Sequence, residues 1–336
     1  MAYRPVFAIT PHFLRLLEEV NALHAKIKGA VVRVRYLPAL QKDVLAREAH
    51  GSTAIEGNPL TLVQVKTVLK GGSVPGAPAR AEQEIKNYAD VMRYIQARPA
   101  ARRIARPEVL KIHSILGREG ALDRGPIGRY RNYGVRVGSH TAPDSREVPL
   151  LMDELLEWLR EKGPQWPAIV SSAVLHFRFE YIHPFGDGNG RVGRALAAWE
   201  LYRRRFDTQH IFAVDEVIWE NRSLYYRALE RVQRDSRQDL SGWIEFVGEV
   251  FVTSLERTWM RVDALQKGKK PEPVSLSPNQ ERLLALIREK PLHITAIQKA
   301  FDVTKMGAHY LLKPLLSAGW VRREGGHRTG VYRLVE

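Results

Sequence analysis

Two segments of the chain carry apolar residues at the spacing of an α-helix, and a short glycine-rich segment separates them. The periodic segments are residues 167–182 and 192–202, and a repeat of three to four residues is typical of a helix that buries one face. The segment between them contains Gly186, Gly188 and Gly190, which let a backbone turn tightly and approach another group closely. This arrangement predicts two consecutive helices whose connection leaves room for a ligand against the main chain.

Most of the remaining chain has the same helical pattern. Residues 152–159 and 244–255 repeat the helical spacing, whereas residues 133–138 alternate between glycines and predict a short strand or hairpin arm. Residues 266–274 combine charge, glycine and alternating proline, which opposes helix and strand alike and predicts a linker. We therefore expect a mainly α-helical region before this linker and a small domain after it.

Composition excludes several kinds of site. The 336 residues include no cysteine, so disulfides, a thiol nucleophile and a zinc–thiolate site are excluded. No apolar stretch approaches the roughly 20 residues that span a bilayer, and residues 1–10 lack a signal-peptide pattern, so we expect a soluble, cytoplasmic protein with no membrane partner. The net charge of +15, of which residues 266–336 carry +7, favours acidic partners such as nucleotides or nucleic acid.

The segment after the first helix predicts a binding site for phosphate groups. Gly188 and Gly190 stand just before a new helix, whose N-terminus attracts anions through its free amides and its dipole. Arg191 and Arg194 are three residues apart and so share a helix face, where two guanidinium groups can hold polyphosphate oxygens.

Two further side chains of this segment suit phosphoryl or nucleotidyl transfer. Asp187 offers the hard oxygen ligand that Mg²⁺ prefers when it also binds phosphates. His183 can accept a proton near neutral pH. A base, a metal ligand and an anion cradle within twelve residues predict transfer of a phosphorus-containing group.

Residues 183–194 read H-P-F-G-D-G-N-G-R-V-G-R and resemble the Fic signature, H-P-F-x-[D/E]-G-N-G-R-x-x-R, at every fixed position. The resemblance implies a Fic helical fold and a protein adenylyltransferase that moves AMP from ATP to a Ser, Thr or Tyr hydroxyl of a target protein. It implies that His183 deprotonates the hydroxyl and that Asp187 binds Mg²⁺ between the α- and β-phosphates. The nucleotide-binding residues that the signature implies are Gly188, Asn189, Gly190, Arg191 and Arg194.

A second motif lies near residue 55. Residues 52–58 read S-T-A-I-E-G-N; on a helix, Ser52 and Glu56 are one turn apart, and Gly57 provides a helix end. The segment resembles the inhibitory [S/T]-x-x-x-E-[G/N] motif of Fic proteins. The resemblance implies that Glu56 pairs with Arg194 in the place of the γ-phosphate and inhibits the enzyme.

The resemblance also implies two outlying parts of the nucleotide site. Residues 133–143 fall where Fic proteins place a β-hairpin flap, whose edge can align a target segment by strand addition; a plain surface hairpin is the alternative. The flap residues implied to border the nucleotide are Val135, Arg136, Val137 and Gly138. Tyr225 and Tyr226 resemble the segment that covers the adenine, although two tyrosines on a core helix would have the same pattern. We interpret His176 and Glu180 as structural residues.

The C-terminal segment has the element order of a winged helix-turn-helix. Residues 277–289, 293–301 and 305–318 predict three helices, the third interrupted by Pro314, and residues 320–323 and 331–334 predict a two-stranded wing. If the domain binds DNA, one set of residues faces the groove and another the phosphates. These are Lys305, His309 and Lys313 for the groove, and Arg322, Arg323 and Arg328 for the phosphates. Docking of a protein is the alternative.

We therefore expect four regions: an N-terminal helical region with the inhibitory helix (1–110), a Fic catalytic core (111–265), the linker (266–276) and a winged helix-turn-helix domain (277–336). The expected function is AMP transfer from ATP under inhibition by Glu56. Removal of AMP from a modified protein, and a DNA-binding regulator whose Fic domain senses nucleotide, remain open. The expected partners are a target protein, DNA and a second copy of the chain.

Overall fold

A computed structural model describes residues 3–30, 37–100, 102–266, 277–317, 320–324 and 330–334. The chain divides into two compact units, residues 1–60 with 65–269 and residues 270–336 with 61–64. The expected linker, apart from Gln266, and Arg328 lie outside the described residues. The expected boundary at residue 110 stays a prediction.

Helices dominate the described part of residues 1–269, which confirms the mainly α-helical prediction. The eleven α-helices of that part are α1 (Pro11–Gly29), α2 (Leu37–Ile55), α3 (Leu62–Leu69), α4 (Ala79–Gln96), α5 (Arg106–Leu116), α6 (Val148–Glu161), α7 (Ala168–Ile182), α8 (Asn189–Arg203), α9 (Val214–Glu220), α10 (Arg222–Arg234) and α11 (Ser241–Gln266). Several begin where the sequence offers a start signal: Thr10 accepts a bond from the Phe13 amide at the head of α1, and prolines open α5 and α6.

The site is positioned by the packing of α7 against α8. α7 is buried on almost every side, from Ile169 through Ile182, and packs against α6, α8 and α11. A helix that is apolar around its whole circumference needs neighbours on all sides, and this requirement places α7 at the centre of the unit. The C-terminus of α7 and the N-terminus of α8 therefore meet inside the protein.

A short hairpin follows α5. Strands β1 (Arg136–Val137) and β2 (His140–Thr141) are antiparallel, with Arg136 opposite Thr141 and Val137 opposite His140. Gly138 turns the chain with φ +59°, a conformation that glycine adopts without strain. The alternation of residues 133–138 thus correctly predicted a hairpin arm.

The described residues after 276 contain three helices and a three-stranded sheet. The elements are α12 (Pro278–Glu289), β3 (Leu292–His293), α13 (Ile294–Phe301), α14 (Lys305–Ser317), β4 (Val321–Glu324) and β5 (Val331–Leu334). The sheet order is β3-β5-β4 and both pairings are antiparallel, so β3 adds a strand to the predicted two. The predicted interruption at Pro314 was wrong, because α14 continues through it; the carbonyl that loses its partner belongs to Tyr310, which is exposed and can be hydrated.

In the part of the chain that the structure describes, no helix has the length and apolar character needed to cross a membrane.

Candidate active site

The connection between α7 and α8 turns sharply at both ends. His183 ends α7 in the left-handed region, φ 49°, while its amide still donates to the Phe179 carbonyl at 2.9 Å. Gly188 precedes α8 with φ 78°. A left-handed histidine costs energy that the surrounding structure must offset, and such residues cluster at functional sites. The loop therefore holds the His183 ring in one fixed direction.

Residues beneath the loop fix its shape. Phe185 is fully buried and its ring stacks on that of His113, with centroids 3.8 Å apart. The Asn189 side chain accepts from the Phe185 amide and donates to the Phe185 carbonyl, both at 2.9 Å. The resemblance implied that Asn189 binds the nucleotide; in the structure its side chain closes the loop.

The N-terminus of α8 faces the loop with amides that have no acceptor within the helix. The first helical bond runs from the Val192 amide to the Gly188 carbonyl at 3.0 Å, so the amides of residues 189–191 precede the repeating pattern. Free amides and the dipole of a helix N-terminus can together bind an anion at this position.

Asp187 lies at the mouth of this site. One of its carboxylate oxygens accepts from the Asp123 amide at 2.8 Å, and the other accepts from the Gly188 amide and lies 3.3 Å from Arg191 Nη2. No group of three or more potential metal-binding side chains occurs among the described residues. A single oriented carboxylate suits Mg²⁺, which commonly takes one or two carboxylates and completes its shell with phosphates and water.

The two signature arginines differ in their surroundings. Arg191 is buried and lies near two carboxylates, Asp187 and Glu84, the latter 3.5 Å from its Nη1. Arg194 is buried too, but its hydrogen-bond partners come from the end of α2, and Asp215 Oδ2 of α9 lies 3.8 Å from its Nε. Nε donates to Ser52 Oγ at 2.8 Å, and Nη2 donates to the Ser52 carbonyl at 2.7 Å and to Glu56 Oε1 at 2.8 Å.

The contact between Glu56 and Arg194, which the sequence suggested, is therefore present. Burial, the largest single cause, lowers the pKa of Arg194, but the attraction of Glu56 together with that of Tyr225, Asp215 and Tyr88 keeps this pKa well above its ordinary value. Nη1 of Arg194 is buried and has no hydrogen-bond partner. A side chain in place of Gly190 would collide with Glu56 Oε1, so the carboxylate lies directly against the first turn of α8.

The end of α2 is shaped as its sequence predicts. The helix stops at Ile55, and Gly57 has φ +97°, which leaves Glu56 in the turn that follows. The Tyr226 hydroxyl donates to the Ile55 carbonyl at 3.3 Å and so links α10 to this turn. Glu56 keeps a third of its side chain exposed, at 33%, whereas Ser52 is fully buried.

His183 is the titratable side chain at the C-terminal end of α7, where the loop begins. Burial lowers its pKa to about 4, although a hydrogen bond with the Glu180 backbone opposes this shift. Its Nδ1 lies 4.0 Å from Glu180 Oε2. The ring is therefore neutral at physiological pH and can accept a proton.

Arg131 is a functional residue that sequence reasoning missed. Its guanidinium is buried and donates to four carbonyls: to His183 at 2.8 Å, Tyr133 at 2.8 Å, Pro143 at 2.6 Å and Ile182 at 3.2 Å. It thus joins both ends of the hairpin segment to the end of α7. The sequence does not distinguish Arg131 from other arginines, because its partners are backbone carbonyls, which every residue type provides.

The residues expected at the edge of the nucleotide site differ in how far they are exposed to solvent. Arg136 and Val137 are exposed on the hairpin, and Tyr226 is 42% exposed. Tyr225 is 1% exposed, and its hydroxyl lies 2.9 Å from His176 Nε2. Because the Tyr225 ring lies in the core, it presents no free face to an adenine. The alternative prediction, a tyrosine on a core helix, describes this residue.

Comparisons of the sequence with known proteins find a family and relatives that this chain resembles. Residues 103–201 match the Fic/DOC family. The chain is 28% identical over 211 residues to the protein adenylyltransferase Fic of Nematostella vectensis, covering 61% of this chain and 47% of the relative. It is 25% identical over 299 residues to that of Drosophila willistoni, covering 88% and 57%. The chain thus spans about half the length of these relatives.

A solved structure resembles the whole chain. The crystal structure of a Fic family protein from Desulfovibrio desulfuricans G20 matches with a TM-score of 0.68 and 27% identity, over 99% of this chain and 98% of that one. The fold, the signature loop and these matches lead to one conclusion: residues 103–201 are a region of the Fic/DOC type, and the chain is related to protein adenylyltransferases.

Proposed function

We propose that the chain is a protein adenylyltransferase that transfers AMP from ATP to a Ser, Thr or Tyr hydroxyl of a target protein, and that Glu56 inhibits it. The observation that carries the proposal is the contact of Glu56 with Arg194 beside the N-terminus of α8. A carboxylate there occupies a position beside the N-terminus of α8 where a phosphate group would bind.

The proposed transfer uses His183 as a general base. The hydroxyl oxygen of the target attacks the α-phosphorus of ATP, and the bond from that phosphorus to the bridging oxygen breaks. Pyrophosphate leaves with the electron pair of this bond, and the hydroxyl proton passes to Nε2 of His183. Because burial keeps the ring neutral, with a pKa of about 4, the base form predominates at neutral pH.

The remaining residues of the site bind and orient the nucleotide. The amides of residues 189–191 and the unpartnered Nη1 of Arg194 are donors for phosphate oxygens. Asp187 would hold Mg²⁺, which supplies positive charge to the α- and β-phosphates when bound. The hairpin edge at Arg136 and Val137 is exposed and can pair with a strand of the target.

Inhibition follows from competition between like charges. The Glu56 carboxylate bonds Arg194 at 2.8 Å and lies against Gly190, where the dipole of α8 also attracts phosphate. A γ-phosphate bound to Arg194 would repel this carboxylate. Productive binding of ATP therefore requires Glu56 to move away.

Automodification with ATP labelled on the α-phosphate tests the proposal. We expect label on Glu56→Gly, little on the wild type and none on Glu56→Gly/His183→Asn, which removes the base but keeps a residue that tolerates a left-handed backbone. Glu119→Gly is a matched control, because Glu119 is exposed and already has φ 54°; it should behave like the wild type.

Two further measurements distinguish AMP transfer from phosphate transfer and from AMP removal. ATP labelled on the γ-phosphate should leave the Glu56→Gly protein unlabelled, since phosphate transfer would label it. Incubation of AMP-modified protein with the wild type should release little AMP. Absence of α-label from every variant while ATP still binds would overturn the proposal, and release of AMP would then indicate AMP removal.

For the smaller unit we propose DNA binding through one face of α14. Lys305, His309 and Lys313 are exposed on this face, and Met306 and Tyr310 between them are 82% and 75% exposed. α14 contains no acidic residue. A helix face that combines cations with exposed apolar and aromatic side chains suits the phosphates and base edges of a groove.

Fluorescence anisotropy of a labelled DNA duplex with the full chain tests this second proposal. Lys305→Ala/Lys313→Ala should weaken binding and lower the dependence on salt by about two ions. Lys299→Ala, an exposed lysine on α13, is the matched control and should change little. Absence of binding at low salt would contradict the proposal.

A further inference from the structure

The turn that carries Glu56 has a second attachment to the protein besides its bond to Arg194. Asn58 ends this turn, and its Nδ2 donates to the Ala81 carbonyl and to Glu84 Oε2 on α4, both at 2.9 Å. A hydrogen bond to an ionised carboxylate is about twice as strong as one between neutral groups. The turn is therefore held on the side of Asn58 as well as on the side of Glu56.

Glu84 is itself held in place by arginines. Its Oε1 accepts from Arg80 Nε at 3.3 Å and lies 3.5 Å from Arg191 Nη1. The side chain of Glu84 is 13% exposed and that of Arg191 is 4% exposed, so solvent and salt screen their attraction only weakly. One carboxylate thus connects Asn58, through Arg191, to the first turn of α8.

The two attachments of the turn end on the two signature arginines. Glu56 bonds Arg194 directly. Asn58 is linked to Arg191 through Glu84. Because guanidinium groups that bind a phosphate chain also attract carboxylates, phosphates at these two arginines would compete with both attachments.

Gly57 lies between the two attachments and gives the turn freedom to move. It has φ +97°, and no heavy atom of the described residues lies within 4 Å of its would-be Cβ. A glycine in open space can change its backbone angles at little steric cost. A turn bound only at Glu56 could therefore swing away from α8, whereas bonds on both sides of Gly57 restrict it.

We propose that Asn58 is a positioning residue that, through its bond to Glu84, keeps the turn of Glu56 against α8 and so strengthens the inhibition. The inference rests on the proposed function and extends it to the residues that set the strength of the inhibition. Loss of the Asn58 bond shifts the turn towards a released arrangement, in which ATP binds productively.

Affinity for ATP tests the inference without relying on catalysis. In the His183→Asn background, where no transfer consumes ATP, calorimetric titration with ATP in Mg²⁺ gives the Kd. Asn58→Ala should lower this Kd about 3- to 10-fold, the size expected when one or two hydrogen bonds that oppose binding are lost. Glu56→Gly should lower it further. A merely structural role of Asn58 would lower stability without tightening ATP binding.

Dependence on Glu56 makes the test sharper. Asn58→Ala added to Glu56→Gly should change the Kd less than about 2-fold, because Asn58 acts through the carboxylate that Glu56→Gly removes. A gain of equal size in both backgrounds would overturn the inference, since Asn58 would then act without Glu56.

Replacement of the Asn58 amide by a carboxylate isolates the contact with α4. Asn58→Asp keeps the oxygen that accepts from the Leu60 amide at 3.1 Å, but it loses the donor and repels Glu84. It should tighten ATP binding at least as much as Asn58→Ala. In the Glu84→Gln background the glutamine amide can donate to the new carboxylate, so Asn58→Asp should have a smaller effect there.

Asn87→Ala is the matched control. Asn87 also lies on α4, and its Nδ2 donates to two carbonyls, those of Leu116 and Arg118, at 2.9 Å. The variant loses the same kind of contact away from the turn, so it should lower the free energy of unfolding in urea and leave the Kd for ATP unchanged.

An unchanged Kd in both Asn58→Ala and Asn58→Asp, while Glu56→Gly tightens ATP binding, would overturn the role of Asn58. If Glu56→Gly in the protein with an intact His183 binds ATP more tightly but transfers no AMP, the proposed function fails, whereas the Kd values still test the attachment of the turn.

Discussion

The loop of residues 183–188 and the hairpin of residues 136–141 both border the candidate site, but they are built differently. The loop is anchored by a fully buried Phe185 and by two bonds to the Asn189 side chain. The hairpin has two residue pairs, and its first strand is exposed. A fixed loop suits a reaction that needs constant distances, whereas an exposed edge suits a contact that must fit a partner.

Arg131 is where the two regions are joined. It donates to carbonyls of the α7 end and to Tyr133 and Pro143, which flank the hairpin. The rigidity of the loop thus extends only to the base of the hairpin. The difference teaches that one site can combine a loop held by buried contacts with an exposed, short hairpin.

The largest expected effect separates the chemistry of the loop from that of the hairpin. In the Glu56→Gly background, His183→Asn should lower AMP transfer at least about 100-fold, the size of a general-base contribution. Val137→Ser on the exposed hairpin should lower modification of a target protein much less. Initial rates with α-labelled ATP measure both. A hairpin variant as inactive as His183→Asn would contradict the comparison.

Removal of the Arg131 side chain should destabilise both the loop and the hairpin. Arg131→Ala leaves four carbonyls, one buried and three partly buried, without this donor and should lower the free energy of unfolding by about 2–4 kcal/mol. Arg131→Lys keeps the charge but loses the planar guanidinium with its several donors, so we expect an intermediate loss of unfolding free energy. The exposed Arg129 offers the control Arg129→Ala, with a change within about 0.5 kcal/mol. Urea unfolding measures the stability of all three variants. Equal losses for Arg131→Ala and Arg129→Ala would contradict the role of Arg131 in connecting the loop and the hairpin.

Glycines of the two regions should respond in opposite ways. Gly188 has φ +78° and Leu122 Cδ2 lies 3.0 Å from its would-be Cβ, so Gly188→Ala should cost about 1–2 kcal/mol. Gly134 at the hairpin base has no atom within 4 Å of its would-be Cβ, so Gly134→Ala should be neutral or slightly stabilising. Thermal unfolding of both variants checks this; a stable Gly188→Ala would show that the loop is not fixed.

The smallest effect concerns the pH. His183 has a folded pKa of about 4 against an ordinary value of 6.5, so the unfolded chain binds more protons between these values and stability falls as the pH drops from 6.5 towards 4. The loss at pH 5 that His183 causes should be on the order of 1 kcal/mol. His183→Asn should lose less stability than the wild type between pH 7 and pH 5, and an identical loss would argue against a buried neutral ring.

Several local features were predictable from the sequence because neighbouring residues decide them. The turn at Gly57, the entry to α8 after Gly188 and the hairpin turn at Gly138 depend on glycine's access to positive φ. Other outcomes were not predictable. Tyr225 and Tyr226 are adjacent in sequence, yet one is in the core and the other is half exposed. Pro314 did not end α14, since the carbonyl that it leaves unpaired can be hydrated.

The sequence by itself determined the helical class, the glycine-rich loop and the types of side chain that the site contains, because helical periodicity and backbone freedom are local properties. The resemblance to Fic proteins suggested that Glu56 meets Arg194, but only the tertiary structure decided how these side chains come together. Glu56 reaches Arg194 across 138 residues, and Arg131 reaches His183 across 52. Such contacts depend on how α2, α7 and α8 pack, since many apolar faces can pair but close packing in the interior selects one arrangement.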